Sequence, residues 1–151
     1  MSGILIRPAS ASDVAAVRRL QELWAAEEVT RGFTPEGEEQ TALRVGGPYF
    51  LVAEAEGRVV GFACGAARVS EGTAVMPAGT PYVEIEDLYV APDARGAGVG
   101  GLLVERLLAD ARREGVRKAL VYSASKEVRG VLKFYEGHGF EPWFVQLFRD
   151  I

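Results

Sequence analysis

Two periods divide the chain. From Val83 to Val90 it is rich in β-branched and aromatic residues and bounded by Pro81 and Pro92, which predicts a strand. From Val99 the apolar positions fall at Val99, Leu102, Leu103, Leu107 and Ala111, the spacing of one helix face. Upstream, Ile4 to Arg7 reads as a short strand closed by Pro8. Ser10 and Asp13 then have capping-box spacing before a helix face of Val14, Val17, Leu20 and Trp24. A loop from Glu28 to Gly37 leads to a polar helix ending near Val45, where Gly46-Gly47-Pro48 stops it. Tyr49 to Ala55 and Arg58 to Val69 predict a hairpin turning at Glu56-Gly57, and Ser70 to Pro81 a long, mobile loop. Downstream lie a parallel strand over Lys118 to Ser123, a last helix over Val128 to Gly137 and a last strand over Trp143 to Phe148. The helix stripe is Val128, Val131, Leu132 and Tyr135. The order β-α-α-β-β-β-α-β-α-β predicts an α/β (α+β) domain over 1–151, with a mixed, mostly antiparallel sheet flanked by helices.

Composition narrows the classes of function. The net charge of −4 is spread over interspersed acids and bases, so nothing points to nucleic acid or an anionic membrane. A single cysteine, Cys64, cannot form an internal disulfide and suits a reducing cytoplasm. It lies in an apolar run, V-V-G-F-A-C-G-A, where it reads as a small hydrophobe. The N-terminal residues lack the apolar region of a signal peptide, and no apolar run reaches transmembrane length, so a cytoplasmic protein is expected. No cysteine, histidine and carboxylate set has metal-ligand spacing, so no metal is expected. His138, the only histidine, falls between Gly137 and Gly139 and reads as a surface residue.

The junction between the central strand and its helix is packed with glycine: Gly96, Gly98, Gly100 and Gly101. A helix begins with N–H groups that have no intrahelical partner, and glycines remove the Cβ atoms that would keep a ligand away, so the turn reads as a phosphate cradle. It is not a P-loop, because no G-x-x-x-x-G-K-[ST] is present. Gly96, Gly98 and Gly101 satisfy G-x-G-x-x-G, but the following strand ends in Ser-Ala-Ser without the acid that would hold a ribose.

Arg95-x-x-Gly98-x-Gly100, following a strand that ends Leu-Tyr-Val-x-Pro, resembles the acetyl-CoA-binding signature of the GNAT superfamily of N-acetyltransferases. Val128-x-x-Val131-Leu132-x-Phe134-Tyr135-Glu136-x-x-Gly139-Phe140 is similar to the family's penultimate helix, although Val128 stands where many members carry Asn. The resemblance is close from Tyr82 to Phe140 and extends to the order of elements elsewhere. It implies acetyl-CoA as co-substrate. The backbone of the strand end, Leu88, Tyr89 and Val90, would receive the pantetheine arm, and the turn Gly96, Ala97, Gly98, Val99, Gly100, Gly101 the pyrophosphate. Arg95 would lie against the pyrophosphate and Ser123 or Ser125 near the sulfur. Arg129, with Lys126 and Lys133 as weaker candidates, would meet the 3′-phosphate. Tyr135 would be the acid, and ionisable residues at Glu84 and Glu86 the base or water relay.

The chemistry implied has residue requirements of its own. An alkyl amine with a pKa of about 10.4 arrives protonated and needs a base. Glu84 and Glu86 are two apart and share a strand face, whereas strict alternation turns Asp87 to the other. Spacing alone makes Tyr135 a core aromatic; its F-Y-E-x-x-G-F context makes it the proton donor to the departing thiolate. Cys64 has no histidine nearby in sequence to activate it as an acyl carrier. Glu27, Glu28, Glu84 and Glu86 could form an anionic mouth walled by Trp24, Phe33 and Trp143, which favours a small cationic amine as acceptor. The alternatives are a protein or peptide acceptor, or an acyl-CoA-binding module that transfers nothing. A homodimer through the last strand is a further possibility.

Overall fold

The computed structural model describes residues 3–151. Five strands, β1 (Ile4–Pro8), β2 (Phe50–Ala55), β3 (Arg58–Val69), β4 (Pro81–Val90) and β5 (Ala119–Val121), form one sheet in the order β1-β2-β3-β4-β5. The first three neighbours pair antiparallel and β4 pairs parallel to β5, as the strand, helix, strand pattern requires. Four helices flank the sheet: α1 (Val14–Glu27), α2 (Glu38–Val45), α3 (Val99–Arg113) and α4 (Val128–Glu136).

Local chemistry explains most boundaries. Asp13 accepts from the Ser10 backbone N–H at 2.8 Å and receives a two-pronged contact from Arg7 at 2.8 and 2.9 Å, fixing the entry to α1 through a short 3-10 turn. The β2–β3 hairpin turns at Glu56 (φ 52°) and Gly57 (φ 74°), the left-handed pair that a two-residue hairpin needs. The Ser70 to Pro81 loop closes on itself: Ser70 Oγ donates to Met76 O at 3.0 Å, and the Met76 side chain is buried.

The sheet separates two apolar layers. On one face Leu51, Val83 and Ile85 meet Leu103, Val104 and Leu107 of α3. On the other Phe50, Val52 and Phe62 meet Val14, Val17 and Leu20 of α1. In α3 the expected Leu102 is exposed and Val104 is buried in its place. In α4, Val128 and Leu132 of the expected stripe are exposed, while Phe134, Tyr135 and the following Phe140 pack toward the core.

Two expected strands differ from the structure. The parallel strand is only Ala119–Val121, shorter than Lys118 to Ser123. Trp143 to Phe148 forms no strand, so the observed order stops after α4. The physical reason lies in the run itself. Trp143, Phe144, Val145, Leu147 and Phe148 are apolar on both faces, which suits a strand covered on both sides. The short edge of β5 offers no such place, and these side chains are exposed.

Candidate functional site

β4 carries the site because it is irregular. Cys64 of β3 lies opposite Asp87, and Gly65 opposite Ile85, so Glu86 is an extra residue without a partner: a β-bulge. Side chains alternate across a strand, and an inserted residue inverts the alternation beyond it. Val83, Ile85, Leu88 and Val90 all pack toward α3, while Tyr89 joins the α1 layer. Asp87 therefore does not point away from Glu86. Both line the same cleft, which corrects the expectation from strict alternation. Gly65 permits the bulge, since a Cβ there would come within 2.8 Å of Glu84 O.

The cleft has a volume of about 240 Å³. Its floor is Ile85 to Leu88, one wall is Trp24 and Phe33, and the other runs through Val121 to Ala124 and Tyr135. Trp24 is stacked between Phe33 and Tyr89, at centroid distances of 4.1 and 5.2 Å, and its Nε1 donates to Thr30 Oγ1 at 2.9 Å. The loop after α1 is laced to the segment beyond β5: Arg31 N donates to Ala124 O at 3.0 Å and Lys126 N to Val29 O at 2.8 Å. These bonds close the top of the cleft.

Below that lacing the sheet is open. β4 and β5 pair only from Val83 to Ile85, so the edge of β4 from Leu88 to Val90 has no strand beside it. This is where an extended ligand with amide groups could pair with the backbone. The chain then turns through a 3-10 segment, Pro92–Ala94, into Gly96 (φ 84°) and Gly98 (φ 80°). A Cβ added at either would meet nothing within 4 Å. Gly98 caps α3 without a side-chain hydrogen bond, and no acid lies in the first turn, so no side chain caps the N-terminal N–H groups. Gly100 and Gly101 also serve packing. A Cβ at Gly100 would touch the Phe134 ring at 3.5 Å, and one at Gly101 the His138 ring at 3.0 Å, so the missing Cβ atoms make room for α4 and the turn after it. His138 is accordingly half-buried, not a surface residue, with Nδ1 at 2.8 Å from Glu105 Oε1.

The other candidates are divided among these parts. Tyr135 lines the cleft on the α4 side, edge-on to Phe134 and Phe140, and burial pushes its hydroxyl up to about 12. Its hydroxyl therefore stays protonated over the neutral pH range. Ser123 lines the cleft, and its Oγ accepts from the Ser125 backbone N–H at 3.1 Å. Glu84 does not reach the cleft; its carboxylate accepts from Arg68 Nε at 2.7 Å. Glu86 lies between two cations, at 3.4 Å from Arg68 and 3.8 Å from Arg44. Arg95 is turned onto Glu27, with both terminal nitrogens at 2.7 Å, while its Nε donates to Val90 O at 3.0 Å. That contact, ahead of the Tyr89 hydroxyl, holds the Glu27 carboxyl below its usual range. Arg129 is exposed and forms no ion pair among the described residues. Glu28 is the left-handed cap of α1, and Trp143 sits on the exposed tail against Phe144; neither lines the cleft. No cluster that could hold a metal occurs among the described residues. Nor is any helix there long and apolar enough to cross a membrane.

Sequence reading missed Arg44. Its guanidinium reaches from α2 to Glu36, Asp87 and the Cys64 sulfur. Nothing in a polar helix marks which arginine will turn inward. Burial holds the Cys64 thiol well above its ordinary value, which keeps it neutral beside Arg44 and Asp87.

The family model described as the acetyltransferase (GNAT) family matches residues 15–140. An uncharacterized N-acetyltransferase of Methanocaldococcus jannaschii is 33% identical over 93 residues, 61% of this chain and 38% of that protein. The mycothiol acetyltransferase of Thermobifida fusca is 32% identical over 97 residues, 64% of this chain and 29% of its own length. The chain thus matches less than half the length of either relative. Among solved structures, a Trypanosoma brucei acetyltransferase is 26% identical with a TM-score of 0.71, covering 99% of this chain and 100% of its own. The aminoglycoside N-acetyltransferase AAC(6')-Iy in complex with CoA is 22% identical with a TM-score of 0.76, covering 99% and 96%.

Proposed function

We propose, from the premise that the chain belongs to the acetyltransferase (GNAT) family, that residues 1–151 act as one domain moving an acetyl group from acetyl-CoA to a small primary amine. The observation that carries this reading is the meeting of three features on β4: an open strand edge at Leu88 to Val90, an uncapped glycine cradle beyond it, and a cleft holding Glu86 and Tyr135. The free edge of β4 would take the pantetheine amides, and the N–H groups at the start of α3 the pyrophosphate. Arg95 would exchange its bond to Val90 O for the ligand, and exposed Arg129 would meet the 3′-phosphate.

In the ternary complex Glu86 accepts a proton from the arriving ammonium, directly or through water. The amine nitrogen then bonds to the acetyl carbon as the carbon–sulfur bond breaks, and the nitrogen releases its second proton to solvent as the amide forms. The Tyr135 hydroxyl gives its proton to the departing sulfur and recovers one from solvent. Burial keeps the Tyr135 hydroxyl protonated, so that its hydrogen is present to bond to the sulfur as it leaves. Glu84 is tied to Arg68 outside the cleft, which favours Glu86 as the base. The acceptor is small because the cleft is small and roofed by the Val29 to Arg31 loop. It is cationic before reaction, since the floor offers carboxylates and the wall indole and phenyl faces.

A homodimer is proposed separately: the exposed apolar tail, which Phe148 sets against Arg31, would be covered by a second copy. Light scattering at micromolar concentration reads this, and a monomer would contradict it. The function itself is tested by a thiol-release assay with acetyl-CoA against polyamines, aminoglycosides, amino acids and peptides. Release with a small amine is expected. Release with peptides alone would move the acceptor to protein, and background rates throughout would leave a binding module.

A further inference from the structure

The bulge sets two adjacent carboxylates, Glu86 and Asp87, into one cleft. An arriving ammonium is attracted to both, but the two oxygen sets cannot both lie on the line to the acetyl carbon. An ammonium held by the wrong carboxylate is bound without being able to react.

Arg44 acts on that ambiguity. Its Nη2 donates to Asp87 Oδ2 at 2.9 Å, whereas Glu86 Oε1 stands at 3.8 Å, inside ion-pair range but beyond a hydrogen bond. The guanidinium is anchored from behind. Glu36 accepts from Nη1, the Glu36 backbone N–H is held at 3.0 Å by the buried Gln21 side chain, and the Phe50 ring lies 6.0 Å from the guanidinium carbon. Most of the Arg44 side chain is covered, at 22% exposure, and Asp87 is covered to a similar degree at 20%. A half-buried cation hydrogen-bonded to one carboxylate and merely adjacent to the next treats them unequally.

We infer that Arg44 is a positioning residue: it neutralises Asp87, so that Glu86, met only by a long bond of 3.4 Å from the exposed Arg68, is the carboxylate left to the acceptor amine. This rests on Glu86 being the base of the proposed reaction. A planar fork is needed, because it must serve Glu36 and Asp87 at once; a lysine would supply charge without that geometry.

Unproductive capture has its own kinetic signature. It lowers kcat and the acceptor KM by the same factor and leaves kcat/KM unchanged, whereas a loosened site lowers kcat/KM. Arg44→Met is assayed with the best amine of the panel at saturating acetyl-CoA. Both kcat and the acceptor KM are expected to fall about tenfold, with kcat/KM within about threefold of wild type. Adding Asp87→Asn to Arg44→Met removes the competing carboxylate and should return both constants toward wild type. If Arg44→Met does not fold, Arg44→Lys carries the same test with a smaller parallel fall. A lower kcat with an unchanged or higher acceptor KM overturns the inference, as does a double variant that recovers neither constant. Glu86→Gln, measured alongside, separates the two layers. Wild-type turnover in that variant removes the base and this inference with it, whereas an inactive Glu86→Gln without the parallel fall removes only the role of Arg44.

Discussion

The cradle after Val90 and the carboxylate pair at Glu86 and Asp87 lie close together in sequence but are made of different materials. The cradle is backbone: two glycines at positive φ, uncapped helix N–H groups and an unpaired strand edge. The acceptor side is side chain: Arg44 from α2, Glu36 from the loop before it, Trp24 from α1 and Tyr135 from α4 all converge on one bulge. Backbone sites need only a local sequence with the right conformational freedom. Side-chain sites depend on how distant elements pack, so they vary with every element that contributes. The difference teaches which part of the proposed function is general and which is particular: the first part would hold a ligand any family member could share, and the second would select what reacts.

Variants on the two sides should fail differently. On the acceptor side, Tyr135→Phe should leave acetyl-CoA affinity within about twofold while turnover falls by about 10²–10⁴, the range of general acid catalysis. Calorimetry and thiol release on the same preparation check this, and wild-type turnover would return Tyr135 to a packing role. On the cradle side, Gly98→Ala puts a Cβ into the open space where the pyrophosphate would lie and should weaken acetyl-CoA about tenfold with kcat at saturation little changed, while the strain at φ 80° costs roughly 1–2 kcal/mol of stability.

How far each side was legible follows from the same contrast. The glycine turn, the hairpin at Glu56-Gly57 and the Ser10/Asp13 box are local signals, and the structure places each where the pattern predicted. The packing roles of Gly100 and Gly101 were not legible, because they make room for Phe134 of α4 and His138 in the turn after it, far along the chain. The facing of Asp87 was not legible either. A bulge is a property of two paired strands, and nothing in V-E-I-E-D-L-Y-V marks the residue that β3 leaves unpaired. Trp143 to Phe148 has strand composition but no place for both its faces in a lone chain, so composition and structure part there.

Smaller effects test the frame that holds the two sides together. Asp13→Ala removes the carboxylate that receives Arg7 and the Ser10 N–H, and should cost about 1–3 kcal/mol in denaturant unfolding with acetyl-CoA affinity intact. The pH dependence has a definite sign. Burial raises the folded-state values of Cys64 and Tyr135 above the ordinary 9.0 and 10.0, Tyr135 to about 12. Their contribution is therefore complete at neutral pH. It is lost above about pH 9, as the unfolded chain ionises where the folded one does not. The Arg7 contact lowers the Asp13 value below 3.8, so its contribution is lost only as the pH falls beneath that figure. Thermal melts from pH 3 to 11 should show a plateau between these limits. Over the same range kcat/KM should rise from pH 7 to 9.5 as the amine loses its proton, without a fall due to Tyr135.

The account depends most on acetyl-CoA lying along the open edge of β4, and a calorimetric titration of the wild-type chain with acetyl-CoA reads that directly. One site per chain with a dissociation constant in the micromolar range, weakened in Gly98→Ala and preserved in Tyr135→Phe, is the expected result. No heat at millimolar acetyl-CoA, or equal binding by wild type and Gly98→Ala, would contradict it.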